Sequence, residues 1–177
     1  MKKLIALSLA SILLTGGLFG CGGSSVNLDR ETNIGEVYYY SISSEWKELP
    51  QSYEFERKYQ TNEGAPDMQI LSTSLGTVVY DSNDLNIYYN LVKDRILGSD
   101  IFSNWKDISR KEMTIDEFAC VVHEYSYTEK GVGDITAIHA SIILNNHFII
   151  FSYVDESRTF RSDLFYDVLN TVKIFES

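Results

Sequence analysis

The histidines are the side chains of this sequence that could bind a metal or carry a proton near neutral pH. His123 and His139 lie in two strand-like runs, Phe118–Thr128 and Ile135–Leu144, which are joined by a short loop that contains glycine. If the turn of this hairpin is centred on Gly131, the two histidines lie directly opposite each other, with Cβ atoms about 5 Å apart. Two facing imidazoles could begin a metal site.

Whether the two histidines form a metal site or are structural depends on the presence of a third ligand. Zinc takes three or four protein ligands, and no third ligand is evident in the sequence. A turn centred one residue away would shift the pairing by two and separate His123 from His139. His147 falls on the opposite sheet face if Asn145-Asn146 forms the next turn. The pattern therefore favours partly buried sheet histidines, and we predict neither a metal nor another cofactor.

Cys120 is a second candidate for chemistry, because a thiolate is a strong nucleophile. It lies in the apolar run Phe118–Val122, with no basic or helix-terminal setting nearby that would lower the pKa of its thiol. We therefore predict a small buried core residue. The sequence also contains no Gly-x-Ser-x-Gly, phosphate-loop or dinucleotide motif. No catalytic residue is predicted, and an unrecognised hydrolase-like enzyme stays as an alternative.

The N-terminus carries the pattern of an export signal. Met1–Lys3 is positively charged, and Leu4–Leu14 is an apolar run too short for a membrane-spanning helix of about 20 residues. The ending Leu18-Phe19-Gly20-Cys21 resembles the lipobox of bacterial lipoproteins. The resemblance implies that residues 1–20 are a signal peptide and that a diacylglyceryl group is attached to the thiol of Cys21. The alternative is an ordinary secretory signal followed by a chance cysteine.

The predicted domain organisation follows from this junction. Small and polar residues after Cys21 predict a flexible linker over 21–34, and the rest of the chain is long enough for one domain, over 35–177. A diacylglyceryl group brings two acyl chains, which is the minimum for stable anchoring. We therefore expect a protein held at the cell membrane through the lipid on Cys21 and facing the extracytoplasmic side.

The charge of the chain excludes one class of partner. The formal net charge is −10, and loss of Lys2 and Lys3 with the signal peptide makes it more negative still. Nucleic-acid binding depends on Lys and Arg neutralising phosphates, so no nucleic-acid partner is expected. A content of 44% hydrophobic and 13% aromatic residues indicates a folded globular chain rather than a disordered one.

The periodicity of apolar residues predicts strands, a helix, further strands and a final helix. Strands are predicted over Glu36–Ile42, Ser52–Gln60, Met68–Ser74, Lys106–Met113, Phe118–Thr128, Ile135–Leu144 and His147–Val154. The first helix is predicted from near Asp84 to Gly98, with Ile87, Leu91, Val92 and Ile96 as its apolar stripe. The final helix is predicted over Phe160–Val172, with a short closing strand over Val172–Phe175. This order predicts an α+β fold with a mostly antiparallel sheet and helices packed on its faces.

The segment Tyr39–Trp46, a strand followed by a serine turn and a tryptophan, resembles the opening of the PsbP-like family of α/β/α sandwich domains. The mid-chain helix, the hairpin Phe118–Leu144, the strand His147–Val154 and the final helix follow in the family's order. Family members usually have proline in the early turn, where this chain has Ser43-Ser44. Because most known roles in this family are binding, the resemblance implies a non-catalytic accessory or partner-binding domain at the bacterial envelope. The alternative is a lipoprotein that binds a small ligand.

Overall fold

The computed structural model describes residues 26–35, 37–50, 57–61, 67–74, 82–144, 147–155 and 161–175. The predictions for residues 1–20 and for Cys21 lie outside these ranges. Ten strands form in the described part of the chain: β1 (Arg30–Ile34), β2 (Tyr38–Ile42), β3 (Lys47–Glu48), β4 (Arg57–Gln60), β5 (Asp67–Ser74), β6 (Phe102–Ile115), β7 (Phe118–Glu129), β8 (Gly133–Leu144), β9 (His147–Asp155) and β10 (Lys173–Ile174). The same ranges contain α1 (Ile87–Leu97), which follows a 3₁₀ turn over Ser82–Asn86, and α2 (Ser162–Leu169).

The strands form two sheets. Seven strands follow the order β3-β4-β5-β9-β8-β7-β6, and three strands follow the order β1-β2-β10. Every described pairing is antiparallel, which confirms the predicted mostly antiparallel sheet. No helix in the described ranges is long and apolar enough to cross a membrane.

The two faces of the seven-stranded sheet contact different parts of the chain, because successive side chains of a strand point to opposite faces. Face A carries Val122 of β7, Ala140 of β8 and Phe151 of β9, which share one large core cluster with β2 and α2. Face B carries Tyr125 and Ala137, which form a smaller cluster with Ile96 of α1. The members of the large cluster that come from β2 and α2 are Tyr38, Tyr40, Ile42, Leu164, Phe165, Val168 and Leu169.

The predicted linker is corrected at its C-terminal end. Residues 30–34 form β1 and pair with β2, whereas the sequence assigned them to the linker. Thr32 and Ile34 are buried, and Glu31 and Asn33 are exposed. The segment has few strong strand formers, so its extended structure comes from pairing with the tyrosine-rich β2 rather than from its own propensity.

The predicted apolar stripe of the first helix is also corrected in part. Ile96 is buried, but Leu91 is 63% exposed and Ile87 is 39% exposed. Tyr88 and Tyr89 contact side chains of face B instead. The helix also begins later than predicted, because the 3₁₀ turn occupies residues 82–86 before α1 begins at Ile87.

The remaining elements differ from their predictions mainly in length. β6 runs over 14 residues, because its charged residues pair with the apolar β7, whereas the sequence predicted a strand over Lys106–Met113. The closing strand is confirmed as β10, and α2 buries Leu164 and Val168 as predicted. Of the predicted strand Ser52–Gln60, residues 57–60 form β4 and the rest lies outside the described residues, as does Phe160 at the start of the final helix.

Phe151 provides a test of the large core. It is 1% exposed, and its ring meets those of Tyr38 and Tyr40 edge-on, with centroids 5.8 and 5.5 Å away. Phe151→Ala should lower the free energy of unfolding by about 3–5 kcal/mol, because it leaves a cavity between two tyrosines. Denaturant unfolding followed by circular dichroism measures this. Phe175→Ala is the control: at 36% exposed, it should cost about 1 kcal/mol or less. Equal losses in the two variants would contradict the described core.

Candidate functional site

The structure brings the two candidate histidines together. His123 of β7 lies directly opposite His139 of β8, as the turn centred on Gly131 predicts, and their ring centroids are 5.4 Å apart. His123 is 4% exposed and His139 is fully buried. His147 lies opposite Leu144, which places it on face A, away from the pair. The sequence left open whether the two histidines face each other, and the observed register answers this question.

The chain from the 3₁₀ turn into α1 covers this pair. The ring of Tyr89 stacks on His123 with centroids 4.0 Å apart, and the ring of Tyr88 meets His139 edge-on at 5.1 Å. Nε2 of His123 lies 3.0 Å from Oδ1 of Asn86, which assigns the proton of the neutral ring to Nε2. These residues, together with Tyr125, form what we call the imidazole cluster: Asn86, Tyr88, Tyr89, His123, Tyr125 and His139.

Burial keeps both imidazoles neutral. It lowers the pKa of His123 to about 4, with a smaller contribution from the nearby positive charge of Arg110. Burial also lowers the pKa of His139 to about 3, assisted by the proximity of His123. Both ring nitrogens of His139 lack a hydrogen-bond partner among the described residues. A histidine that acts as a general acid or base must reach its substrate and titrate near the working pH, and neither ring meets these conditions.

The set of possible metal ligands around the two histidines is small. Within the described ranges, no group of three or more His, Cys, Asp or Glu side chains is placed to hold a metal ion. Cys120 lies on face A at 1% exposed, and burial raises the pKa of its thiol to about 12. The prediction that Cys120 is a core residue is confirmed, and its thiol is unsuited to nucleophilic chemistry.

A second polar network joins α1 to β6 beside the imidazole cluster. Asp107 accepts hydrogen bonds from the hydroxyl of Tyr89, from Trp105 Nε1 at 2.9 Å and from Lys93 Nζ at 3.0 Å. The hydroxyl of Tyr89 is the main reason that the pKa of Asp107 is lowered. Tyr89 therefore contacts His123 with its ring and Asp107 with its hydroxyl, and it fixes α1 over both.

The sequence did not identify Asn86, Tyr89 or Asp107 as partners of the histidines. Asn86 lies 37 positions before His123 in the chain and carries no motif of its own. The one available signal was the Tyr88-Tyr89 pair in a helix that follows a polar turn, since large aromatic residues in a helix usually pack against a sheet. That signal does not say which strand residues the rings meet.

An open groove lies beside the cluster and shares Asn86 with it. Its volume is about 660 Å³, and its lining includes Leu85 and Asn86 from the 3₁₀ turn, with Arg110, Glu112 and Val121 from β6 and β7. Oδ1 of Asn86 is 3.5 Å from Nε of Arg110. One edge of the groove is thus connected to His123 through Asn86.

The fold places this chain among proteins with PsbP-like architecture. The solution structure of cyanobacterial PsbP (CyanoP) from Synechocystis sp. PCC 6803 superimposes with a TM-score of 0.65 at 11% identity, over 89% of this chain and 99% of that one. A Bacteroides thetaiotaomicron protein known from a crystal structure gives a TM-score of 0.54 at 11% identity, and the match covers 78% of this chain and 45% of that one. No protein-family model matches the chain, and no curated protein does. The likeness shows the fold alone.

The buried imidazoles predict a pH dependence of stability. Between pH 6.5 and about 4 the unfolded chain binds protons at His123 and His139 that the folded chain does not bind. The free energy of unfolding should therefore fall as the pH is lowered through this window, by up to about 1.4 kcal/mol per pH unit for each histidine. Chemical denaturation at several pH values measures the slope.

His139→Phe should remove one of the two proton uptakes and about halve this slope, whatever its effect on stability at neutral pH. The matched control is His147→Phe, which changes a histidine of face A outside the cluster. The carboxylates with lowered pKa, such as Asp107 and Asp116, also contribute to the free energy of unfolding, and this contribution is lost as the pH falls below their ordinary pKa of 3.8. The slope is therefore measured above pH 5. An unchanged slope in the His139 variant would contradict the assignment.

Proposed function

We propose that this chain is a lipid-anchored, extracytoplasmic, non-catalytic accessory protein whose PsbP-like domain binds another protein of the bacterial envelope. The domain is an α/β/α sandwich in this proposal, with α1 and α2 on opposite faces of the seven-stranded sheet. The lipid on Cys21 holds it at the cell membrane, and the linker leaves the domain free to meet its partner.

The observation that carries this proposal is the burial of both histidines of the imidazole cluster. His139 is fully buried and His123 is nearly so, which means that the residues with the most obvious chemistry serve to pack α1 onto face B. The fold is compatible with this proposal, because the match with the CyanoP structure covers 89% of this chain. Fold likeness does not transfer a function by itself, so the partner must be found by experiment.

The anchor is tested by Cys21→Ala. Without the thiol no diacylglyceryl group can be attached, and two acyl chains are needed for stable membrane binding. Fractionation of the producing bacterium should find the native chain with the membranes and the variant released or unprocessed. Cys120→Ala is the control, because it removes the other thiol. This variant should be found with the membranes, like the native chain. Tight membrane association of the Cys21 variant would overturn the proposed anchor.

Partner binding is tested by capture from membranes that have been solubilised with detergent. The tagged chain should recover an envelope protein in a fixed ratio, and the complex should survive dilution. An equally acidic lipoprotein of unrelated fold serves as the control for non-specific capture. Recovery of no stoichiometric partner under several detergents would count against the accessory role.

The groove of about 660 Å³ favours a second candidate function, the binding of a small ligand. Its volume lies within the range of about 300–1,000 Å³ that is typical of ligand sites, and Arg110 and Glu112 offer both signs of charge. The two functions are separated by Val121→Trp, which places a large side chain in the lining of the groove. Loss of ligand binding with retained partner capture would assign the groove to the ligand.

A further inference from the structure

β6 is the terminal strand of the seven-stranded sheet and pairs with β7 in the described part of the chain. An edge strand presents a row of N–H and C=O groups that can pair with another strand. The register with β7 shifts between Ser103 and Lys106 and again between Asp107 and Ser109, and then runs without a shift to Ile115. Ser109–Ile115 is therefore a regular edge at which one further strand would fit.

Two opposite charges flank Lys111 on this edge. Arg110 precedes it and Glu112 follows it, both on face B, and Nη1 of Arg110 lies 2.7 Å from Oε1 of Glu112. Their side chains are 45% and 70% exposed, so both charges are accessible from outside. Lys111 points to face A, where its Nζ lies 5.0 Å from the ring centroid of Tyr166.

We propose that the edge Ser109–Ile115 binds a second copy of this chain, in an antiparallel pairing about a two-fold axis at Lys111. A two-fold contact is self-complementary, because the same surface is used by both copies. With the axis at Lys111, Arg110 of each copy lies opposite Glu112 of the other on the same sheet face. The two ion pairs within the separate chains are thus replaced by two ion pairs between the chains, and the edge backbones pair with each other.

Charged residues and irregularities protect many sheet edges from such pairing, and β6 has both. The irregularities are confined to the part of β6 before Ser109, so they limit the length of the contact and leave its centre regular. The two Lys111 side chains meet at the axis, but the attraction of each ammonium to Tyr166 of its own chain draws it over face A. The charges of Arg110 and Glu112 favour this register over its neighbours.

Charge reversal provides the test, with the full chain carrying either of two tags, produced together and extracted in detergent. Co-purification of the two tags measures self-association, and native mass spectrometry counts the copies. Arg110→Glu alone and Glu112→Arg alone should each lower co-purification at least tenfold, because like charges then face each other. A mixture of the two single variants should restore it, since each Glu then faces an Arg.

The matched control is Lys130→Glu, a charge reversal at an exposed residue in the turn at the other end of β7. It should leave co-purification at the native level. Glu112→Arg should leave the fold intact, because the carboxylate of Glu112 contacts Arg110 at the surface. Circular dichroism checks the fold of both variants. A monomeric native chain, native-level association in the single variants, or no restoration in the mixture would each overturn the proposal. None of these outcomes bears on the lipid anchor or on capture of another protein.

Discussion

The antiparallel pairing of β7 with β8 decides which side chains lie under α1 and which enter the large core. Gly131 and Gly133, with φ of +91° and +125°, allow the tight turn that sets this register. A slip of one residue would move every side chain of a strand to the opposite face. Cys120 would then lie on the face that α1 covers, and His123 would enter the large apolar core. The position of the imidazole cluster is thus a consequence of this turn.

The burial of two neutral imidazoles has a consequence for function. The ring of His139 meets Tyr88 and Tyr125 edge-on, so its surroundings are aromatic and favour the uncharged form. The same contacts that hold α1 on face B separate the ring nitrogens from solvent. Chemistry at this site would require α1 to leave, which would also break the contacts of Asp107 with Tyr89 and Lys93. Any chemistry at these two rings would therefore disrupt the packing of α1 on face B.

Local patterns in the sequence were enough for Cys120 and for the apolar faces of β8 and β9. They left the facing of His123 and His139 open, because it depends on which residue lies at the centre of the turn. They were not enough for α1, where Ile87 and Leu91 fit the helical period as well as Tyr88 and Tyr89 do. The choice between these two stripes depends on the shape of face B, which includes residues more than thirty positions away along the chain. β1 was missed for a related reason, since its partner strand supplies the stability that its own residues lack.

The two edges of the seven-stranded sheet differ in length in the part of the chain that the structure describes. β3 ends one side with two residues, and such a short strand offers little backbone to a partner. β6 ends the other side with 14 residues, and the groove beside it is lined by the same Arg110 and Glu112 that stand on the edge. A ligand in the groove and a strand at the edge would compete for these two charges. Under the two proposals these charges are shared, so occupation of one site should alter the other.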